Sequence, residues 1–284
     1  MDQAFFPSLS TTVETIVSMW SKVHLFMHLM VSLCRVLVSL IISLILAIPF
    51  AFLFARVLPT FFSRIEALLR VFSIINPYCL FPLFVVFFGS GEIAKISVLT
   101  WVSMWPIFFS TLAGIKNVDP LLVKTAKSMD AGPITIFFKV VLPGALPSIF
   151  NGIRIGVEMS FFILIAAEMT GATAGLGWIV HSASALNQVT MVYGAGLLIV
   201  VLGVFLNRSL NFLRSGLFFW KEERDPIAGI TGPLVGAKRI SNTTLAIMAA
   251  VFVAVLSIGL YEIYRAEVML NDPTVIPEYR VWTE

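Results

Sequence analysis

The sequence predicts an all-α integral membrane protein of about six transmembrane helices, and three observations carry that expectation. Only 12% of the 284 residues are charged, while 58% are apolar or aromatic; a soluble domain carries about 25% charged residues, so half the charge of a solvated surface is missing. Uncharged runs approaching the length of a bilayer-crossing helix recur along the chain. The Lys and Arg residues between them fall in blocks, as loops facing the cytoplasm require. Disorder is excluded because it needs low hydrophobicity and high net charge. A net charge of +3 is too small to point to nucleic acid, and Cys34 and Cys79, both in apolar runs, read as reduced core thiols.

Ahead of the first span, Val13, Ile16, Val17, Trp20 and Val23 recur at helical spacing, and Thr11 with Glu14 has the form of a capping box. This segment, 1–28, reads as an interfacial helix on the outer face or as a soluble-type amphipathic helix docked on the rest. His24 and His28 stand one turn apart with no third ligand nearby, so no metal is expected. Uncharged runs then cover 36–55, 71–91, 96–115, 169–207 and 240–261. The fourth is too long for one helix; its Gly171, Gly175 and Gly177 predict a loop or re-entrant turn before a span at about 190–212. The stretch from Ala145 to Glu168, apolar except for Arg154, Glu158 and Glu168, supplies one more helix.

The regions around 55–70, 113–144 and 207–242 hold 13 of the 19 basic residues, which places them in the cytoplasm. With six spans, both termini are expected outside. The chain opens with Asp2 and no basic stretch, so no cleavable signal peptide is expected.

The most informative segment is KTAKSMDAGPITIFFKVVLPGALPSIFNGIRIG at 124–156. It reads as a short helix from about Asp119, a break at Asp130-Ala131-Gly132-Pro133, a second amphipathic segment and then Pro143. Two short helices lying across a cytoplasmic opening would present a rigid knob to a soluble partner. Here the chain resembles the membrane-spanning permease subunit of binding-protein-dependent ABC importers of the type I fold, nearest the branch that handles nitrate, taurine and aliphatic sulfonates. FPSLSTTVETI at 6–16, SLCRVL at 32–37, PLFVVFFGSGE at 82–92, LPGALPSIFNGIRIG at 142–156 and AAEMTGATAGLGWIV at 166–180 resemble their family counterparts in order, and the likeness runs from about residue 6 to 213.

The resemblance implies that 116–143 docks on a separate nucleotide-binding ATPase through Lys124, Thr125, Ala126, Asp130, Ala131, Gly132 and Pro143. The family's loop reads Glu-Ala-Ala, three residues, Gly, then Leu-Pro; here Lys124 stands at the Glu and Asp130 at the Gly. Asp tolerates the left-handed conformation better than most side chains, so the turn is expected to persist. The reversed charge of Lys124 fits one half of a pair with a second, non-identical permease, an ATPase with a matching acidic residue, or lost coupling. The resemblance further implies an extracytoplasmic solute-binding protein and residence in the bacterial inner membrane. No Walker sequence occurs, so no cofactor is expected in this chain, with ATP and Mg in the partner ATPase.

Charges inside spans face protein or water, since one in hydrocarbon costs at least about 2.5–3.5 kcal/mol. Arg154 and Glu158, at i,i+4, read as a pathway-lining pair or as a structural pair, and the nearby cytoplasmic Pro143 favours the second. Glu168 either anchors the glycine-rich turn through backbone N–H groups or faces the binding protein. Arg35 either meets an entering anion or snorkels to the headgroups.

Family members usually open with an inside-to-outside helix leading into a Pro-Ser segment, found here at Pro7-Ser8. In this chain a helix at about 242–264 and the tail YEIYRAEVMLNDPTVIPEYR at 261–280 resemble that first helix and its exit. The expected organisation is an outer-face segment 1–28, a permease core 29–213, a basic cytoplasmic loop 214–241, and 242–284 as a relocated helix with an outer tail; an unrelated extra helix is the other reading. The expected function is the permease subunit of an ATP-driven importer of a small solute, an anion such as nitrate or a sulfonate. Two competitors are a non-transporting scaffold, suggested by Lys124 and Asp130, and a secondary transporter, which would call for intramembrane acid pairs or inverted repeats.

Overall fold

The computed structural model describes residues 7–22, 24–217 and 242–271, which are helices and their connections. In order they are α1 (Leu9–Lys22), α2 (Leu25–Phe52) continued by a π-helical turn (Leu53–Val57), α3 (Pro59–Ile74), α4 (Pro77–Phe88) and α5 (Glu92–Lys116). Then come α6 (Pro120–Ser128), α7 (Pro133–Ile136), a second π-helical turn (Phe137–Val141), α8 (Leu142–Gly171), α9 (Leu176–Ala185), α10 (Val189–Leu217) and α11 (Asn242–Asn271). Four stretches are long and apolar enough to cross a membrane: Leu25–Val57, Glu92–Lys116, Pro133–Gly171 and Val189–Arg214. Helices α3 and α4 form a fifth if the bent pair is one span, and α11 runs through the sixth expected span. The basic residues between Leu217 and Asn242 and the tail beyond Asn271 lie outside the described residues.

The second span departs from expectation. Instead of one helix over 71–91, α3 and α4 meet at an 89° bend, and the basic stretch expected as a loop at 55–70 is largely helical. Proline disfavours helical geometry in the residue before it and has no N–H of its own. Asn76 therefore leaves the helix, and its Oδ1 accepts from the Tyr78 N–H at 3.0 Å, capping a new one.

Lipid tails are as apolar as leucine, so helices associate in a membrane through close packing and interhelical hydrogen bonds. Helix α5 is the central post, flanked by α2 and α8. Where α5 crosses α8, a Cβ on Gly152 would lie 2.7 Å from the Ser110 Cβ and 2.9 Å from the Pro106 carbonyl oxygen, so no larger residue fits that crossing. Ser43 of α2 hydrogen-bonds Ser103 and the Thr100 carbonyl of α5, and the Ser160 hydroxyl of α8 reaches the Leu99 carbonyl at 3.3 Å. Leu99, Ile107 and Leu164 fill the space between them and are wholly buried.

Helix α1 starts earlier than the Thr11–Glu14 box implies. The Ser8 hydroxyl accepts from the Thr11 N–H at 3.3 Å, making Ser8 the cap. The helix is docked on one face, where Thr12 and Met19 are buried with Met19 and Ile16 against Gly194 of α10, while Val13, Val17 and Trp20 point outward. Helix α11 lies along α2. Gly259 sits against Cys34, where any Cβ would overlap the Cys34 side chain, and the Cys34 thiol donates to the Leu256 carbonyl at 3.8 Å.

Candidate functional site

His28, Ser32 and Arg35 share one face of α2, one turn apart, where the helix begins. The first turn of α5 brings Glu92 and Lys95 to the same end, and the last turn of α8 brings Glu168. The Arg35 guanidinium is 1% exposed. Its Nε and Nη2 donate to the two Glu92 oxygens at 2.7 Å each, and its Nη1 donates to Glu168 Oε1 at 2.6 Å and the Ala174 carbonyl at 2.7 Å. Lys95 Nζ adds a bond to Glu92 Oε1 at 2.9 Å. Two cations thus face two carboxylates, and the group is electroneutral. Such matching offsets the cost of taking charges out of water only when further hydrogen bonds serve the remaining lone pairs and protons, and here the Ala174 carbonyl, the Ser32 hydroxyl and the Gly177 N–H supply them.

This quartet holds the glycine-rich turn in place. Glu168 Oε2 accepts from the Gly177 N–H at 2.8 Å, Ser32 Oγ accepts from the Leu176 N–H at 2.9 Å while donating to Glu168, and His28 Nδ1 accepts from the Gly175 N–H at 2.9 Å. The His28 ring stacks on Trp178 with centroids 5.2 Å apart. Gly175 has φ 129° and its missing Cβ leaves the space that the Glu168 carboxylate occupies, so both conformation and room demand glycine.

Of the two readings of Glu168, the structure has the turn anchor. Both readings of Arg35 give way: its donors are held by carboxylates of two other helices, so it neither snorkels nor presents a free cation to an anion. Lys95 is buried within α5 at 3% exposure. His28, Ser32, Glu92 and Lys95 were not among the expected site residues; the signal for the first two was their common face with Arg35. Arg154 and Glu158 do approach, Nε to Oε1 at 3.6 Å, and Arg154 Nη1 donates to Asn211 Oδ1 of α10 at 3.0 Å. The pair fastens α8 to α10.

At the opposite end of the bundle, α6 and α7 form a knob. Asp119 Oδ1 caps α6 through the Leu121 N–H at 2.8 Å. The helix closes with the Ala131 N–H on the Ala126 carbonyl at 3.1 Å and the Asp130 N–H on the Lys127 carbonyl at 3.0 Å, Asp130 adopting φ 55°. Ala126 and Ala131 pack inward against Val118, Ile136 and Val141, whereas Lys124, Thr125, Asp130, Gly132 and Pro143 are exposed. Exposed beside them are Leu121, Leu122, Met129, Ile134 and Phe138. The break expected at Asp130-Ala131-Gly132-Pro133 falls between α6 and α7, and from there α7 and the π-helical turn Phe137–Val141 run straight into α8. Pro143 has no N–H to continue the α-helical ladder, and a π-type turn ahead of it absorbs the change of register. Phe137 of this turn meets Phe52, at the foot of α2, with centroids 4.1 Å apart.

Comparison with known families matches residues 25–218 to the binding-protein-dependent transport system inner membrane component family. The chain belongs to that family. As such it is an ABC importer-type inner membrane component of the type I fold, in the branch of the taurine and sulfonate relatives. It is 33% identical over 165 residues to the taurine transport system permease protein TauC of Escherichia coli (strain K12), over 58% of this chain and 60% of that one. It is 36% identical over 141 residues to the putative aliphatic sulfonates transport permease protein SsuC of the same organism, over 50% and 54%. The chain thus spans about 60% or less of the length of these curated relatives. Among solved structures, the inward-facing MetNI methionine ABC transporter shares its fold, with a TM-score of 0.60 at 22% identity over 69% of this chain and 96% of that one.

Proposed function

We propose that this protein is the transmembrane permease subunit of an ATP-driven importer for a small anionic solute, coupled through 116–143 to a separate ATPase. The observation that carries the coupling is the knob. Five large apolar side chains stand exposed on α6, α7 and the turn after it, at the far end of the bundle from the charged quartet, around a turn that survives the Asp130 replacement. In this reading the knob faces the cytoplasm and Phe137 passes its movement to the foot of α2. The quartet and its glycine-rich turn face the outside, where a solute-binding protein delivers its cargo. ATP and Mg belong to the ATPase, no residue of this chain is catalytic, and a second permease, non-identical given Lys124, completes the pathway. The domain limits follow: 1–28 outer face, 29–213 core, 214–241 cytoplasmic loop, 242–284 added helix and outer tail.

The test is purification from the native membrane. A nucleotide-binding subunit should accompany the chain, and its ATP hydrolysis should rise with the cognate binding protein. Leu121→Asp combined with Met129→Asp should lose the ATPase without lowering thermal stability. Purification with a binding protein but no ATPase would reject the reading.

A further inference from the structure

Helix α1 has three sides. At about 3.6 residues per turn, buried Thr12 and Met19 share one side with Ile16, and the polar residues Ser10, Thr11, Glu14 and Ser18 share another; Val13, Val17 and Trp20 fill a sector of about 60° between them. The first side is the one docked on α10. The apolar flank is bare: Val17 is 66% and Trp20 60% exposed, and the Trp20 ring leans on exposed Phe26 of α2, with centroids 6.3 Å apart. A helix that only docks needs one apolar face, and this one carries a second.

Two spans fix the height of α1 along the bundle. Only Val23 and His24 separate its end from the span Leu25–Val57. On α10, Ile16 and Met19 meet Gly194, about 8 Å along the helix from the start of the span Val189–Arg214. Met19 and Leu25 also share a buried cluster with Leu176 and Ile179, just beyond the glycine-rich turn. Helix α1 therefore lies where spans begin, at the boundary between headgroups and acyl chains. A second observation comes from α10, where Tyr193, Leu197, Val200 and Val204 make one exposed stripe at helical spacing that starts beside Gly194 and runs down the span. The stripe is uncharged, as a lipid-facing surface is, and aromatic at its head. Trp20 follows Met19 and Tyr193 precedes Gly194, so the contact between Met19 and Gly194 brings two aromatic residues from different helices to one level, and Trp and Tyr gather at the membrane–water boundary.

We infer that the flank of Val13, Val17 and Trp20, together with Phe26, is seated in lipid. Helix α1 lies along the membrane surface at the quartet's end of the bundle, with the glycerol groups and the tops of the acyl chains against this flank and water over Glu14. The amphipathic Trp20 ring suits that boundary, its body on acyl chains and its N–H on a lipid oxygen. A soluble partner would find no charge on the flank and a single hydrogen-bonding side chain, whereas lipid needs neither. Because the flank is uncharged, the contact does not depend on headgroup charge. So placed, α1 is a strut that holds the first turns of α2 and α10 at one height in the leaflet.

The experiment places a bimane fluorophore on Val17→Cys and, separately, on Glu14→Cys in a background lacking Cys34 and Cys79. The protein is purified from its native membrane and reconstituted in phosphatidylcholine nanodiscs, plain or brominated near the tops of the acyl chains. Both positions are exposed, so neither change disturbs packing. Seated about 5–10 Å into the boundary, the Val17 probe should lose about half its emission in brominated discs and ignore aqueous iodide; the Glu14 probe should do the opposite. A second measurement needs no cysteine: Trp20→Phe should lower the share of intrinsic tryptophan fluorescence that brominated lipid quenches, with or without phosphatidylglycerol in the disc. Iodide quenching at Val17 would show a flank in water, and silence toward both quenchers a flank covered by protein; each overturns the assignment. So do equal lipid quenching at the two positions and a lipid-quenched share that Trp20→Phe leaves unchanged.

Discussion

Arg35 stands or falls with its partners. Removing one member of a buried ion pair typically costs about 3–5 kcal/mol, because the other charge stays behind unpaired. We expect Arg35→Met and Glu168→Gln each to lower the unfolding temperature in detergent. Arg35→Lys should not restore it, since one ammonium cannot reproduce the fork that grips both Glu92 oxygens and Glu168 together. An unchanged unfolding temperature in Arg35→Met would show that the guanidinium contributes nothing. That Arg35 and Glu168 matter was legible in the sequence, because an ionisable residue inside an apolar run stands out. Their union was not: the partners lie 57 and 133 residues apart, and periodicity reports only neighbours on the same helix.

At the level of helices, counting uncharged runs located the spans because apolarity is what a bilayer selects. It missed the α3–α4 break because apolarity says nothing about straightness, although Asn76-Pro77 carries the start signal of a new helix. The turn after α6 was legible from one residue, Asp130, and it invites a direct test. A non-glycine residue in left-handed geometry costs about 1–2 kcal/mol, least for Asp and Asn. Asp130→Gly should keep the ATPase bound and stimulated, while Asp130→Val should lose it; equal behaviour of the two would mean that the turn plays no part in docking. The α2–α11 seam has its own probe. In a Cys79→Ser background, buried Cys34 should resist N-ethylmaleimide, and Gly259→Leu should expose it by wedging the helices apart. Rapid labelling before that change would mean that α11 does not rest on α2.

For the molecule as a whole, the distribution of basic residues predicts which face is cytoplasmic, and single cysteines in a background lacking Cys34 and Cys79 test it. Ser8→Cys should react with an impermeant thiol reagent in intact cells and Ser128→Cys only after permeabilisation; the reverse pattern would invert the molecule and exchange the faces given to the knob and the quartet. The quartet has one more consequence, and it concerns time rather than architecture. Ribosomes deliver Arg35 first, Glu92 57 residues later and Glu168 133 residues later. At about 5–20 residues per second, the guanidinium waits roughly 3–11 s for its first carboxylate. During that interval α2 must be held with a naked charge in it, either by the insertion machinery or by lingering near the headgroups. Glu92→Gln lengthens the wait until Glu168 arrives. Its first symptom should therefore be degradation of newly made chains in pulse-chase labelling, with the chains that do mature persisting longer than the early losses imply.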